Sequence, residues 1–511
     1  MRFGRTLAVA LSGVRGTLVD VEAHIGNGLP TLMISGLPDK ACAQAPDRLR
    51  SAVASAGLSI PPSRIVVNLS PASIPKHGSG YDLAIAVAVL AAADVIEASV
   101  AARSVHLGEL GLDGSIRPVP GVLPVVMAAA AAGVRHVVVP AASVAEARLV
   151  EGVTVHAAAT LGALVEAYAV SARRGGTLPV ASALPGICTP DRQVGDLADV
   201  VGQKEAREVV ELAAIGGHHL PLTGPPGVGK TMLAERLVGV LPELTRAEAL
   251  ESQAIRSLAG VGQARGLDLT PPFEAPHHTA STAAIVGGGS AAVIPGAVSR
   301  AHRGVLFLDE APEFKSSVLQ CLRQPLESGV VTIARARESV TYPAGFLLVM
   351  AANPCPCGHS FARGQSCRCS PMDLRRYASR LQGPLLDRID LRVNVPQVAA
   401  GAVAEIGAES SQTVAQRVAQ ARCAQAQRWA DVGVTLNGHV PGHLLRRRPF
   451  RLARAATARL DRALDHGELS LRGYDRVLRV AWSLADREGR STPGPAEVTR
   501  AMDLRSPELA A

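Results

Sequence analysis

The sequence predicts an α/β protein of several domains, on three observations. Strand-like and helix-like runs alternate along residues 1–172 and again along residues 191–397, as they do in sheets that are covered by helices. A short apolar run at residues 220–223 leads through a glycine-rich turn into the helical run 232–238. From residue 398 onward the apolar residues mostly follow a helical spacing, so we expect a helical domain at the carboxyl end.

Composition bounds the class of protein. The chain has 511 residues, which suggests about three domains. With 48% hydrophobic and 19% charged residues it has ample material for packed cores. Aromatic residues make up only 3%, which argues against base stacking as the main mode of any nucleic-acid binding. The apolar runs 1–11, 83–93 and 119–132 are too short or too broken to be a leader or to span a bilayer, so we expect a cytoplasmic protein without membrane partners.

The net charge of +8 is concentrated near the carboxyl end. Residues 1–172 carry 12 basic and 12 acidic residues, and residues 173–410 carry 23 and 22. Residues 411–505 carry 17 basic and 9 acidic residues, and every basic residue there is an arginine. Such an excess suits binding to phosphate backbones, although a solvated helical surface would have the same composition.

The predicted elements divide the chain into three domains and a linker. Strand-like runs in the first domain, residues 1–172, are 18–25, 31–34, 65–68 and 134–140, and its helical runs are 41–56, 83–93 and 122–132. Residues 173–190 have the Pro, Gly and small residues of a linker. The second domain covers 191–397. The third covers 398–511, with helices expected at 411–429, 450–464 and 474–487.

The glycine-rich turn at residues 224–231 matches the phosphate-binding pattern G-x-x-x-x-G-K-[ST] in its required context of strand, turn and helix. Backbone N–H groups surround a phosphate only where glycine permits the turn, and the helix N-terminus adds partial positive charge. We expect Lys230 to reach the β- and γ-phosphates of a nucleoside triphosphate and Thr231 to bind Mg²⁺. The residues expected to contact the nucleotide are Gly224, Pro225, Pro226, Gly227, Val228, Gly229, Lys230 and Thr231.

Two later strands end in polar residues that suit ATP hydrolysis. The apolar run 305–308 is followed by Asp309, expected to hold Mg²⁺, and by Glu310, expected to polarise the attacking water. The run 346–352 is followed by Asn353, whose side chain would sense the γ-phosphate through that water. Acidic residues also end strands without any function, and Asn-Pro is a common turn pair. The prediction for these three residues therefore rests on their spacing from the glycine-rich turn.

Four of the eight cysteines cluster in the insertion 353–372, in two C-x-C pairs nine residues apart. Four thiolates in one short loop favour a tetrahedral structural zinc site, which would order a loop too small for its own core. The ligands expected are Cys355, Cys357, Cys367 and Cys369, with His359 as a substitute. The alternative is a reduced loop without metal.

These residues together resemble the AAA+ ATPases, in the branch of magnesium-chelatase I subunits and MCM helicases, and over nearly the whole chain they resemble the ComM-like family. The segments that carry this resemblance are Ala275-Pro-His-His-Thr-Ala-Ser, Gly287-Gly-Gly-Ser, Pro295-Gly, Ala301-His-Arg-Gly, Leu308-Asp-Glu-Ala-Pro-Glu-Phe, Ala352-Asn-Pro-Cys-Pro-Cys-Gly and Gly383-Pro-Leu-Leu-Asp-Arg-Ile-Asp. The resemblance implies an AAA+ P-loop core with a parallel sheet and a C-terminal helical lid.

The resemblance also implies two arginine roles and a ring. Arg388 looks like the arginine finger that acts on ATP held by the neighbouring subunit, and Arg472 looks like the sensor-2 arginine of the lid. A finger acting in trans requires an oligomer, and the family implies a hexamer. Read without the family, either arginine fits an ordinary surface ion pair equally well.

Two segments resemble the hairpin insertions of this branch, 282–295 and 329–343. In ring helicases such hairpins project into the central channel. Arg335 and Arg337, at the tip of the second segment, would then contact a DNA backbone without sequence preference. The alternative is an exposed hairpin with a solvated charged tip.

Residues 75–86 and 108–122 resemble the Lon-protease-like α+β fold (the S5 domain 2-like fold), which also occurs in the recombination protein RadA. An ungapped comparison puts the protease nucleophile position at Gly80 and the base position at Val125. Ser79 is one residue out of register and no lysine lies near Val125 in sequence, so we expect no peptidase activity.

Three functions compete. The favoured one is a hexameric ATP-dependent motor on single-stranded or branched DNA, in the helicase and branch-migration role that the ComM-like resemblance implies, for recombination or natural transformation. The second is the ATPase subunit of a magnesium chelatase, for which a Lon-like domain and a cysteine insertion are not expected. The third is a protein-remodelling ATPase or peptidase, which the missing Ser–Lys pair disfavours.

Overall fold

The computed structural model describes residues 2–173, 178–181, 195–261, 266–289, 292–335, 339–360, 366–381, 385–398 and 408–505. The predicted linker lies mostly outside the described residues, and so does Arg337. Across these described ranges, no helix is both long and apolar enough to cross a membrane.

The first sheet has seven strands in the order β3-β4-β2-β1-β5-β8-β9. Its strands are β1 (Arg2–Ser12), β2 (Arg15–Gly26), β3 (Thr31–Ser35), β4 (Arg64–Ser70), β5 (Ser104–His106), β8 (His136–Pro140) and β9 (Thr154–Ala158), and a separate ribbon joins β6 (Glu109–Leu110) to β7 (Ile116–Arg117). The four strands expected from the sequence are present. Residues 2–12, considered in the sequence only as a leader-like start, form an inner strand, because β1 pairs with β2 on one side and with β5 on the other.

Seven helices accompany this sheet: α1 (Lys40–Ala43), α2 (Ala45–Ser55), α3 (Asp82–Ala92), α4 (Ala98–Ala101), α5 (Val122–Ala131), α6 (Val144–Ala147) and α7 (Leu161–Arg173). Every residue of α3 is buried, which explains why its sequence is apolar on all sides rather than amphipathic. Aliphatic side chains of β1, β2, β4 and α3 form one continuous core.

The second sheet is parallel throughout, in the order β11-β14-β17-β10-β18. Its strands are β10 (Leu220–Thr223), β11 (Phe273–Glu274), β14 (Val305–Leu308), β17 (Leu347–Ala352) and β18 (Val393–Asn394). In β14 and β17 every residue is buried, as expected for strands with helices on both faces. Because the strands are parallel, the carboxyl ends of β10, β14 and β17 meet at one edge, where ligands bind in such sheets.

The described residues of this part of the chain form eight helices: α8 (Lys204–Gly216), α9 (Lys230–Val240), α10 (Arg246–Leu258), α11 (Thr282–Val286), α12 (Ala297–Arg300), α13 (Ser316–Cys321), α14 (Arg323–Ser328) and α15 (Pro371–Leu381). Two antiparallel ribbons project from it, β12 (Gly287–Gly288) with β13 (Ile294–Pro295), and β15 (Val330–Ala334) with β16 (Ser339–Pro343). The second ribbon is the hairpin expected at 329–343. The first expected hairpin begins instead with the helix α11, which Ser281 caps.

The remaining helices are α16 (Ser411–Arg428), α17 (Gly442–Leu445), α18 (Arg454–Asp465), α19 (Leu471–Arg487) and α20 (Pro495–Arg505). The helix expected at 450–464 starts later, at Arg454. The preceding segment turns around Pro449, with Arg451 N–H donating to the Arg447 carbonyl at 2.8 Å, and Ala453 is extended. The buried side chains of these helices continue the core of the second sheet.

The first sheet's helices pack directly on the second part of the chain. Leu123 of α5 shares an apolar cluster with Ala254 of α10. The Gly121 N–H donates to the Ser257 carbonyl at 3.1 Å, and Arg246 Nη2 donates to the Leu149 carbonyl at 2.8 Å. These contacts hold α10 against α5.

Candidate functional site

The turn between β10 and α9 has the conformation that its glycines predict. Gly227 has φ +78° and Gly229 has φ +89°, backbone conformations that other residues adopt only with strain. At Gly224 the requirement is space, because a Cβ there would lie 2.3 Å from the Val395 carbonyl oxygen. The turn therefore presents backbone N–H groups at the N-terminus of α9, where an anion is favoured.

Lys230 is the first residue of α9 and its side chain is buried against the turn. Its Nζ donates to the carbonyls of Gly224 at 2.6 Å and Pro225 at 2.9 Å, and to Asn353 Oδ1 at 3.1 Å. Burial lowers the pKa of Lys230, while the nearby carboxylates of Asp309 and Glu310 oppose that shift. The lysine thus bridges two strand ends that the sequence separates by more than a hundred residues.

Thr231 and Asp309 form the second link across the sheet edge. Thr231 Oγ1 donates to Asp309 Oδ2 at 3.0 Å, and the other carboxylate oxygen of Asp309 accepts the Glu310 N–H at 2.9 Å. A hydroxyl and a carboxylate oxygen that converge in this way are the hard oxygen ligands that Mg²⁺ prefers. The residues present therefore fit the predicted metal position.

Glu310 is held in an unusual conformation beside a histidine. Its φ is +51°, a left-handed conformation that is uncommon for a residue with a side chain. Glu310 Oε2 lies 3.2 Å from His278 Nδ1. The segment that contains His278 was singled out in the sequence, but no chemical role was assigned to it, since only the fold brings residue 278 beside the end of β14.

These side chains surround a cleft of about 400 Å³ at the edge of the second sheet. Its lining is Pro226, Gly227, Gly229, Lys230, Thr231, Met232, Asp309, Glu310, Ala351, Ala352 and Asn353. Five of the seven polar residues predicted from the sequence for catalysis and Mg²⁺, namely Lys230, Thr231, Asp309, Glu310 and Asn353, are thus brought together at the ends of three parallel strands. The cleft is large enough for a small-molecule ligand.

Arg388 and Arg472 lie outside the lining of this cleft. Arg388 ends a short 3₁₀ turn, is 6% exposed, and donates through Nη2 to Glu327 Oε1 of α14. Arg472 is exposed on the first turn of α19, which Ser470 caps. Both roles given to these arginines remain predictions.

The four clustered cysteines meet as predicted. The Sγ atoms of Cys355, Cys357, Cys367 and Cys369 all lie within 4.8 Å of one another. The closest pairs are Cys355–Cys357 at 3.4 Å and, at 3.7 Å each, Cys357–Cys367 and Cys355–Cys367, near the edge of about 3.8 Å of a tetrahedron with Zn–S bonds of about 2.3 Å. The donor set and its spacing fit zinc.

This cysteine loop touches the nucleotide-binding turn. Gly358 packs on Pro226, and a Cβ at Gly358 would lie 2.9 Å from the Cγ and Cδ atoms of that proline. On the other side, Cys355 follows Asn353 by two residues. The loop therefore lies against two parts of the cleft.

The two projecting ribbons lie side by side. Arg335 Nη2 donates to the Ala292 carbonyl at 3.2 Å, and the Tyr342 hydroxyl donates to the Val293 carbonyl at 2.6 Å. Arg335 thus stands where both insertions meet.

Ser79, Gly80 and Val125 line one apolar cavity of about 310 Å³ between the first sheet and the two ribbons. Ser79 Oγ donates to Glu109 Oε2. The only lysine near Ser79 in sequence is Lys76, which is buried and donates to the Pro71 carbonyl. Val125 stands at the predicted position of the base and offers no titratable group.

Comparison with known proteins gives consistent matches along the chain. Residues 196–403 match the family described as magnesium chelatase, subunit ChlI, residues 21–143 match subunit ChlI of Mg-chelatase, and residues 408–505 match its C-terminal model. An uncharacterised protein of Mycobacterium tuberculosis is 51% identical over 506 residues, covering 99% of both chains. The competence protein ComM of Haemophilus influenzae is 39% identical over 502 residues, 97% of this chain and 96% of ComM. The uncharacterised protein YifB of Escherichia coli is 41% identical over 483 residues, 93% of this chain and 92% of YifB.

Proposed function

The chain belongs to the ComM-like family of magnesium-chelatase-type AAA+ ATPases, and from that premise we propose that it is a ring-forming motor coupling ATP hydrolysis to movement on DNA. The motor is a hexameric helicase that promotes branch migration in recombination or natural transformation. ATP and DNA as substrates would place it in the cytoplasm.

The cleft residues suit ATP hydrolysis. Lys230 would hold the β- and γ-phosphates, and the oxygens of Thr231 and Asp309 would hold Mg²⁺, which neutralises phosphate charge when bound. Glu310 would orient and polarise the attacking water, with Asn353 placed to sense that water. Each of these side chains lines the same cleft.

The cleft offers no arginine of its own among the residues that line it. Phosphoryl transfer gains about 10³- to 10⁵-fold from an arginine finger, so a neighbouring subunit would have to supply one. Arg388 is the candidate finger and Arg472 the candidate sensor on the helical lid. This requirement supports a ring, since a head-to-tail interface that closes gives each site the same neighbour.

The observation that carries the DNA assignment is the pairing of the two insertions, with Arg335 at their junction. Two ribbons that are joined by hydrogen bonds can move as one body. An arginine at their junction suits binding to a phosphate backbone. The magnesium-chelatase alternative shares the ATPase part but gives no role to this arginine.

DNA-stimulated ATPase activity tests the assignment. We expect single-stranded or forked DNA to bind at low salt and to raise the ATPase rate, and Arg335→Ala to weaken both effects. Arg323→Ala, which removes an exposed arginine of α14 outside both insertions, should behave as wild type. If the wild-type protein neither binds DNA nor responds to it at low salt, the proposal fails.

We assign a structural zinc ion to the four cysteines. Metal binding would fix the loop that packs on Pro226 and follows Asn353. Metal analysis of purified protein should find about one zinc per chain, and a Cys367→Ser/Cys369→Ser variant should lose it. Protein purified without near-stoichiometric zinc would contradict this assignment.

We further propose the domain boundaries 1–172, 191–397 and 398–511, with the first domain a Lon-like scaffold without peptidase activity. The absence of a lysine beside Val125 among the described residues lining the cavity supports this role. Cleavage of fluorescent casein above the level of a Ser79→Ala variant would contradict it.

A further inference from the structure

A cavity of about 480 Å³ opens between α17, α18 and α19, far along the chain from the ATPase cleft. Three arginines stand in its wall, and leucines, a tyrosine, Thr457 and Asp461 form the rest. We call it the arginine cleft and define it by Arg446, Arg451, Arg454, Leu452, Tyr474 and Leu478. None of the functions described above uses it.

Its net charge is positive, because its wall holds three arginines and one carboxylate, Asp461, while the nearby Asp475 pairs with Arg446. Arg446 Nη1 lies 2.9 and 3.0 Å from the two carboxylate oxygens of Asp475. Asp461 accepts the Tyr474 hydroxyl at 2.8 Å and the Thr457 hydroxyl at 2.9 Å. Each acid therefore has its own donors at short range.

Two arginines remain for a ligand. Arg451 and Arg454 are both exposed, and within the described part of the chain neither forms an ion pair. They belong to a run, residues 443–454, that holds five arginines and no acidic residue. A guanidinium presents planar paired donors that match phosphate oxygens.

The frame of the cleft is rigid. Leu452 and Leu478 are buried in the core that joins the second sheet to the helical part, and Tyr474 packs against the same core. Burial raises the pKa of Tyr474 to about 12, so its ring remains a neutral phenol at physiological pH. The arginines at the rim suit a phosphate, and the apolar wall with its one tyrosine suits a planar base attached to that phosphate.

We propose that the arginine cleft binds a nucleotide unit of single-stranded DNA, with its phosphodiester between Arg451 and Arg454. The size of the cavity suits one such unit, and the charge excess of residues 411–505 would attract the strand. This site rests on the proposed DNA motor and adds a second contact, on the helical part, to the one at the ribbons.

The salt dependence of DNA binding tests the site. Each phosphate contact adds about 0.7 to the slope of log affinity against log salt for single strands. Because both arginines face one phosphodiester, we expect full-length Arg451→Gln/Arg454→Gln to lower the slope by about 0.7, and Arg454→Gln by part of that amount, in anisotropy titrations of a labelled oligo(dT). Arg462→Gln is the matched control, because Arg462 is also exposed on α18 but lies outside the cleft lining.

Three outcomes would overturn the site. One is a double variant that keeps the wild-type slope, and another is an Arg462→Gln slope reduced as much as that of Arg454→Gln. The third is an unchanged DNA slope with a raised KM for ATP, because a free nucleotide would then be the ligand. Thermal unfolding of each variant checks that the fold is intact. If only the arginine-cleft proposal is wrong, the wild-type protein still binds DNA. If the wild-type protein binds no DNA, the proposed DNA motor is wrong as well.

Discussion

His278 Nδ1 lies 3.2 Å from Glu310 Oε2. Residue 278 follows β11 and leads, through the cap at Ser281, into α11 and the first ribbon. The carboxylate expected to polarise water is thus tied to the base of the first insertion, whose Ala292 carbonyl accepts a hydrogen bond from Arg335, the proposed DNA contact of the second insertion. The φ of +51° at Glu310 requires such outside support, because the conformation is strained for a residue with a side chain.

We expect His278→Ala to lower kcat for ATP hydrolysis by about tenfold, or about 1.4 kcal/mol, because Glu310 loses the contact that orients it. KM for ATP should change little, since the phosphate-binding turn is untouched. His277→Ala is the control, as His277 bonds Thr279 rather than the glutamate. Steady-state phosphate release measures both constants, and an unchanged kcat would show that the contact has no part in positioning.

Gly358 offers a test of the contact between the cysteine loop and the cleft. Gly358→Ala places a Cβ 2.9 Å from Pro226, so we expect a raised KM for ATP as the turn shifts. Gly433→Ala is the matched control, because Gly433 has a similar φ of +69° and nothing within 4 Å of its Cβ position. Both changes should cost about 1 kcal/mol of stability. Equal KM values in the two variants would mean that the loop does not support the turn.

The side chains of the cleft could be grouped from the sequence because its pieces are local. Strand, turn and helix around Lys230, and the acidic pair after β14, are each readable from a few consecutive residues, and parallel pairing then puts strand ends at one edge. Contacts such as His278 with Glu310, Gly358 with Pro226 and Arg388 with Glu327 join distant segments, and no local pattern encodes them. The inner strand β1 was missed for a related reason, since its position depends on pairing with β2.

Helix starts were also hard to predict. The apolar spacing of residues 450–464 is helical almost throughout, yet the helix begins at Arg454, because a turn around Pro449 and an extended Ala453 precede it. That same irregular segment places Arg451 at the arginine cleft. The segment therefore explains both the wrong helix start and the position of the proposed site.

The trans role of Arg388 predicts complementation between inactive variants. Lys230→Ala and Arg388→Ala should each lower the ATPase rate, the latter by about 10³-fold. Mixing the two before assembly should restore up to about a quarter of the wild-type rate, because that fraction of interfaces combines an intact lysine with an intact arginine. Glu327→Gln, which removes the partner but keeps Arg388, controls for loss of the ion pair. Mixtures no more active than their components would exclude a shared site.

Stability should fall at mildly acidic pH because of a buried histidine. Burial lowers the pKa of His106 to about 3, and its ring is held by Thr6 and Tyr168 at 2.7 Å each. The unfolded chain, with a histidine pKa of about 6.5, binds the proton more readily. His106 alone therefore lowers stability as pH falls below about 6.5, by about 2 kcal/mol at pH 5.

Urea unfolding at a series of pH values measures this loss. His106→Gln should flatten the pH dependence without abolishing it, because burial also lowers the pKa of His219 to about 3. His24→Gln, at an exposed position, should leave it unchanged. A His106→Gln variant with the full wild-type slope would place the titrating group elsewhere.

Strand displacement on a forked DNA substrate, followed by gel or fluorescence, tests the DNA motor most directly. With ATP and Mg²⁺ the wild-type protein should separate the strands, and the Lys230→Ala variant, which lacks the lysine bridging the two strand ends, should not. Displacement by Lys230→Ala at the wild-type rate, or ATP hydrolysis by the wild type with no displacement on forked or branched DNA, would contradict the proposal.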